Sequence, residues 1–234
     1  MKKITLLFLI ILFSVTSYIH AQKTFAGEIR FETKIEGTDD PNLLASIEKL
    51  VQTVTILGNK SKTILKDEMA SLTQIWDGDK ETASKIFEIT GMGKYYKKWN
   101  KDELKEKSKF NDYSYTYEED YKTICDYKCQ KVIVMVTNME DDSQKEIMLY
   151  VTKEIGSSKL NGNQFIGLEG YPLMSSVMYE EYCEGCTIVT QATKITPKKI
   201  KDVDFLLPDD GIKLEDIDDP ELKEFLEQQV FGDK

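Results

Sequence analysis

Four cysteines are the side chains best placed to do chemistry in this chain: Cys125 and Cys129 are separated by three residues, Cys183 and Cys186 by two. The spacings admit two local disulfides, a four-thiolate zinc site with Cys183-Glu184-Gly185-Cys186 as a knuckle, or a redox-active Cys-x-x-Cys. Imidazole adds nothing to them. The only histidine, His20, falls in a segment that reads as a secretory signal peptide, residues 1–21. Lys2 and Lys3 form its basic start, Ile4 to Val15 its apolar stretch, and Ile19-His20-Ala21 its cleavage site. Cleavage there leaves 213 residues (234 − 21) with no histidine, which excludes Ser-His-Asp and Cys-His nucleophiles and His-ligated metals. The twelve apolar residues fall short of the roughly 20 that cross a bilayer. A single membrane anchor is thereby set aside, and the expected protein is periplasmic or secreted and does not span a membrane.

The elements that position the cysteines read as β-structure. Phe25, Gly27, Ile29, Phe31, Thr33 and Ile35 alternate with Glu28, Arg30, Glu32 and Lys34, the pattern of a half-buried strand. Asp40-Pro41 resembles a helix start, and Leu43, Leu44, Ile47, Leu50, Val51 and Val54 keep helical spacing for about three turns. The β-branched run Val51 to Leu57 can equally begin a strand. Corners follow at Gly58-Asn59, Asp77-Gly78-Asp79, Gly91-Met92-Gly93 and Asp141-Asp142. Strands are expected at 51–57, 61–66, 71–76, 81–90, 94–99, 111–125, 129–138, 145–152, 173–183 and 186–196, with Lys101 to Lys109 a charged loop or short helix.

A sheet this large must curl, split or close. The expected fold is mainly β (α+β): one strongly curved antiparallel half-barrel sheet, an internal helix as lid or plug, and a C-terminal helix. The boundaries are 22–210 for the half-barrel domain and 211–234 for an acidic helix, with Asp219 as N-cap, Pro220 in the first turn, and Leu222, Phe225, Leu226 and Val230 on one stripe. If the sheet runs up and down, with 153–172 adding no net traverse, the two cysteine corners lie at opposite ends. One zinc, with Zn–S distances of about 2.3 Å, could not reach both. Two disulfides, Cys125–Cys129 and Cys183–Cys186, are therefore expected, ahead of a mixture of disulfide and free thiols and then of a four-cysteine zinc-binding protein. The redox reading wants a helix after the first thiol, whereas Thr187-Ile188-Val189 reads as strand.

Composition narrows the partners. The net charge of −10, or −12 without Lys2 and Lys3, and a single arginine, Arg30, argue against nucleic acid. Tyr113, Tyr115 and Tyr117 share one strand face, and with Trp76, Phe87, Tyr95 and Trp99 they could stack on a ligand or simply fill a core. Glu118-Glu119-Asp120 and Glu180-Glu181 cannot converge for acid–base work without a bulge, since strand neighbours point to opposite faces.

Several patches in fixed order carry a resemblance. They are Phe25-Ala26-Gly27-Glu28-Ile29-Arg30-Phe31, Ile75-Trp76-Asp77, Gly93-Lys94-Tyr95-Tyr96, Thr123 to Lys131, Gly167-Leu168-Glu169-Gly170-Tyr171-Pro172-Leu173, and Val203-Asp204-Phe205-Leu206-Leu207-Pro208. Together they resemble an exported Gram-negative bacterial family of unknown function similar to the LolA, LppX and RseB lipoprotein-localisation superfamily. The resemblance implies an antiparallel half-barrel over helices, with an apolar pocket that in relatives takes acyl chains or other lipids. No position matches the arginine that holds the lid of the lipoprotein chaperone, so what carries over is hydrophobe binding.

The expectation is thus a non-enzymatic binder of a lipid or other hydrophobic small molecule or acyl chain, without cofactor. Its lining would be Ile29, Phe31, Ile75, Phe87, Val134, Leu149 and Val177 from the strands, with Leu43, Ile47 and Leu50 from the helix. The alternative is a structural or protein-interaction domain with a filled core. A continuous apolar cavity above roughly 300 Å³ separates the two.

Overall fold

The structure, a computed structural model, describes residues 24–48, 50–162, 164–178, 183 and 185–232. The expected signal segment with His20, and the pair Glu180-Glu181, lie outside the described residues.

Among the described residues twelve strands form one sheet in the order β12-β6-β5-β4-β3-β2-β1-β11-β10-β9-β8-β7. Strand β1 (Ala26–Glu36) is its centre. From it the chain steps outward through β2 (Val51–Leu57), β3 (Lys60–Lys66), β4 (Ala70–Asp77), β5 (Thr82–Ile89) and β6 (Gly93–Trp99). It then crosses to the far edge and returns through β7 (Asn111–Ile124), β8 (Tyr127–Asn138), β9 (Gln144–Thr152) and β10 (Tyr171–Met178) to β11 (Thr187–Pro197), which pairs antiparallel with β1. The two-residue β12 (Ile212–Lys213) adds to β6 in parallel.

The crossing from β6 to β7 dictates strong curvature. Strands spaced about 4.8 Å apart would set these two edges nearly 50 Å apart in a flat sheet. The connection is short: a seven-residue helix, Lys101–Lys107, and a three-residue 3₁₀ turn, Ser108–Phe110, which together span about 16–17 Å. The edges must approach, yet they do not pair, so the sheet is curved and unclosed. Bulges between Arg30 and Phe31, Pro172 and Met174, and Tyr117 and Tyr121 sharpen the bend.

Three short α-helices accompany the sheet among the described residues. The first, α1 (Pro41–Glu48), is capped by Asp40, whose Oδ1 accepts from the Asn42 amide. It ends earlier than the expected three turns: Val51 and Val54 belong to β2, where β-branched side chains pack better than on a helix. The crossing helix is α2 (Lys101–Lys107), opened by a capping box in which Asn100 and Glu103 each accept the other's backbone amide. The last, α3 (Pro220–Phe225), starts on Asp219 and Pro220 as its sequence requires and relaxes into a π-type turn over Leu226–Val230. Phe225 is half exposed, while Leu226 is fully buried, so only part of the expected stripe meets the core.

Alternation assigns Trp76, Gln74, Ala83, Lys85, Phe87, Tyr95 and Trp99 to the inner face of the β3–β6 half, and Ile29, Phe31, Val132, Val134 and Leu149 to that of the remaining strands. Two segments cover this concave side. The connection 153–170 carries buried Ile155, Leu160 and Leu168. It leaves β9 and re-enters β10 at the same end, where Thr152 pairs with Tyr171. After β12 the C-terminal segment lays Leu214, Leu226 and Phe231 against Tyr95, Trp99 and Leu104, so its described part shares a core with the sheet. The outer side of β3–β6 is crossed by the segment leading to β12, tied through Lys60 to Asp202 and Lys94 to Asp210.

Candidate functional site

A cavity of about 330 Å³ opens between these two coverings. Its wall combines Ser61, Thr63 and Gln74 from β3 and β4, Lys85 from β5, Leu104 and Lys107 from α2, Leu160, Asn161 and Phe165 from the 153–170 connection, and Phe231 near the C-terminus. Trp76 and Trp99, the chain's two tryptophans, both border it.

Each polar group is held by local structure. Trp76 donates its indole N–H to the Lys159 carbonyl at 2.7 Å, which clamps the connection onto the β4–β5 corner. Gly162, at φ 60°, lies flat on that indole; a Cβ there would meet Trp76 Cδ2 at 3.1 Å. Asn161 is only 8% exposed, and its amide nitrogen donates to the carbonyls of Leu168 (2.7 Å) and Gly170 (2.8 Å). Those two bonds fix the amide orientation. The other end, Oδ1, is buried and accepts no hydrogen bond among the described residues.

The cations gather on one ring. Lys107 Nζ lies 4.8 Å, Lys97 Nζ 5.5 Å and Lys85 Nζ 5.9 Å from the Trp99 centroid. Trp99 itself meets Phe231 edge-on at 6.4 Å. Lys85 donates to the Val230 carbonyl at 3.5 Å and Lys107 to Gly232 at 3.2 Å. Burial pushes the Lys85 ammonium below its usual range. Burial, then repulsion from Lys97 and Lys85, does the same to Lys107.

Most expected lining residues lie elsewhere. Ile29 and Phe31 are packed in the central core with Val54, Ile56 and Leu173. Val134 and Leu149 are fully buried beside Leu168, and Phe87 packs on the C-terminal cluster. Val177 is half-buried between Ile188 and Ile147 in the ladder. Of the expected lining residues Ile75 alone touches the cavity beside Trp76 and Trp99, and its phase differs from the expected inward one. It pairs with Ser84 and Lys62, opposite in phase to Gln74 and Trp76, because both faces of β4 are covered. Ile47 and Leu50 border a separate cavity of about 310 Å³ with Thr33, Ile35 and Leu44, at the end of β1; Leu43 is half-buried and lines neither.

The cysteines divide. Cys183 and Cys186 are bridged, with Cα atoms 5.4 Å apart, at the β10–β11 corner. Cys125 and Cys129 are free thiols, which corrects the expected second bridge. The corner is a two-residue turn in which Cys125 (φ 48°) and Asp126 (φ 71°) are both left-handed, so Cys125 leaves the ladder and its thiol donates to Ala192. Cys129 sits within β8 opposite Lys122, and burial pushes its thiol up to about 11. The two corners lie at opposite ends of the sheet, so the four sulfurs do not converge on one zinc.

The tyrosines and acids take structural partners. Tyr115 donates to the Ile166 carbonyl at 2.8 Å and Tyr117 accepts from the Glu169 amide, so this face anchors the 153–170 connection. The ladder is irregular between Tyr117 and Tyr121, and there Glu118 pairs with Lys131 and Asp120 accepts from Tyr150. Lys85, Lys107 and Asn161 are the wall residues that sequence reasoning misses. A polar Gln74 and a charged Lys85 at inward positions, each two residues from an inward aromatic, are the available signal.

No family model and no curated protein matches this chain. A solved structure of PNGF-II shares the fold. It aligns with TM-score 0.51 and 13% identity, over 81% of this chain and 32% of PNGF-II, so this chain spans about a third of that protein's length. At that identity the likeness concerns the fold alone.

Proposed function

We propose that this is an exported, non-enzymatic binding protein that holds a small hydrophobic or amphiphilic ligand inside a half-barrel. The observation that carries the reading is the 330 Å³ cavity on the concave face, whose wall includes both tryptophans. Its size falls at the lower end of small-molecule sites. Ring bodies that carry polar groups suit it better than acyl chains, because a hydrocarbon chain offers nothing to the Lys85 ammonium or to Asn161 Oδ1, which has no partner among the described residues. The disulfide at Cys183–Cys186 agrees with an oxidising compartment, and the curved sheet with the lipoprotein-localisation superfamily suggested by the sequence patches.

A filled interaction domain is the second reading, favoured by the dense packing of Ile29, Phe31, Val134 and Leu149. Native mass spectrometry of the protein purified from its exporting host separates the two. A non-covalent adduct released on denaturation is expected for the binding protein. The bare chain in every preparation would leave the interaction reading in its place.

A further inference from the structure

We infer that the ligand of this cavity is a small anionic ring compound, its acidic group held by Lys85, its ring body against Trp76 and Trp99, and an O–H or N–H donated to Asn161. The inference rests on the binding reading above and names the chemistry of its ligand.

Lys85 is an inward residue of β5, facing Gln74 on one neighbour strand and Lys97 on the other. Among the described residues no carboxylate forms an ion pair with it, in a chain that has 41 acidic side chains against 31 basic ones. Its described hydrogen-bond acceptor is the Val230 carbonyl at 3.5 Å, a long contact for a partly buried ammonium. Lys97 and Lys107 share the Trp99 ring with it, and the carboxylates of Glu215 and Glu103 act on those two lysines, not on Lys85. Burial already disfavours the Lys85 charge, and an incoming anion would restore it.

Asn161 points to the same ligand independently. Its nitrogen is committed to Leu168 and Gly170, and its Oδ1, on a residue that borders the cavity, is a buried acceptor with no partner among the described residues. Such an atom is costly to leave unmade, and a ligand hydroxyl or amine would satisfy it. An anion for Lys85, a donor for Asn161 and a flat apolar body for the indoles describe one molecule of cavity size.

Two fluorescent probes test this on the full-length protein: 8-anilinonaphthalene-1-sulfonate, and N-phenylnaphthylamine, which has the same rings and N–H without the sulfonate. Quenching of Trp76 and Trp99 reads both, since no other tryptophan contributes. The sulfonate should bind about tenfold more tightly, Lys85→Met should reduce that preference to within about twofold while sparing the neutral probe, and Lys85→Arg should keep it. Equal affinities, or a preference that survives Lys85→Met, would overturn the inference while leaving the binding reading intact. Should Lys85→Met not fold, added sodium chloride must weaken the sulfonate and not the neutral probe; an unchanged sulfonate affinity overturns the inference. If neither probe quenches, the binding reading itself fails.

Discussion

The β7–β9 half and the β3–β6 half of the concave face share one sheet and one curvature, yet they are finished differently. In the first, Val132, Val134 and Leu149 are fully buried under Leu168, and the tyrosines spend their hydroxyls on the backbone of the covering segment. In the second, the inward positions include Thr63, Gln74 and Lys85, and the covering segments leave a cavity above them. A hydrophobic inner face is closed by whatever chain can reach it. A polar one resists closure, because each sealed donor or acceptor must find a partner. The cavity therefore lies where the inner face is least apolar, the reverse of what an acyl-chain carrier suggests.

Mutations can break or sharpen this contrast. The largest effect belongs to the sealed half: Leu149→Ala should cost about 3–4 kcal/mol in urea unfolding, since the packed neighbours cannot collapse into the void. That variant should leave probe quenching of the tryptophans unchanged, since Leu149 does not border the cavity. At the boundary between the halves, Asn161→Ala should cost about 2–3 kcal/mol, because two carbonyls lose their donor. A loss below about 0.5 kcal/mol there would mean that Asn161 does not hold the connection, given the usual net value of such bonds.

The smallest effect should have the opposite sign. Lys85→Met is expected to stabilise the protein by about 0.5–1 kcal/mol at neutral pH, because it removes a partly desolvated ammonium. The pH dependence follows from the lowered folded pKa. Between that value and 10.5 the unfolded chain binds more protons, so wild-type stability rises with pH and the advantage of methionine shrinks. A variant whose gain grows towards pH 10 would contradict buried charge as the cause.

Much of the fold is legible in the sequence because its signals are local. Alternation across Phe25 to Ile35, the glycine and aspartate corners, and Asp219-Pro220 each specify a short stretch of backbone without help from elsewhere. Parity through the meander is equally local in origin, and the two cysteine corners do lie at opposite ends. What is not legible depends on distant partners. Ile75 cannot be phased from its neighbours because both faces of β4 are covered, one of them by residues about 130 positions later. Cys125 and Cys129 have the separation of a bridge, but a two-residue left-handed turn sends one thiol out of the ladder. Asn161, Lys107 and Phe231 reach the cavity from three separate segments, so no window of sequence contains them together.

The place of β1 at the centre of the sheet governs how the protein can be made. Phe31 is paired on one side with Gln52, 21 residues away, and on the other with Ala192, 161 residues away. The β2–β6 meander can zip locally, whereas the β1–β11 seam must wait for nearly the whole chain and closes a costly loop. Pulse-labelled hydrogen exchange during refolding should protect Val54 and Thr63 before Ala192; simultaneous protection would reject this order. Until then the first strand keeps a bare edge, a template for its neighbours in a crowded compartment. Its alternate glutamates, arginine and lysine, all exposed or half-exposed, keep that edge solvated while it waits.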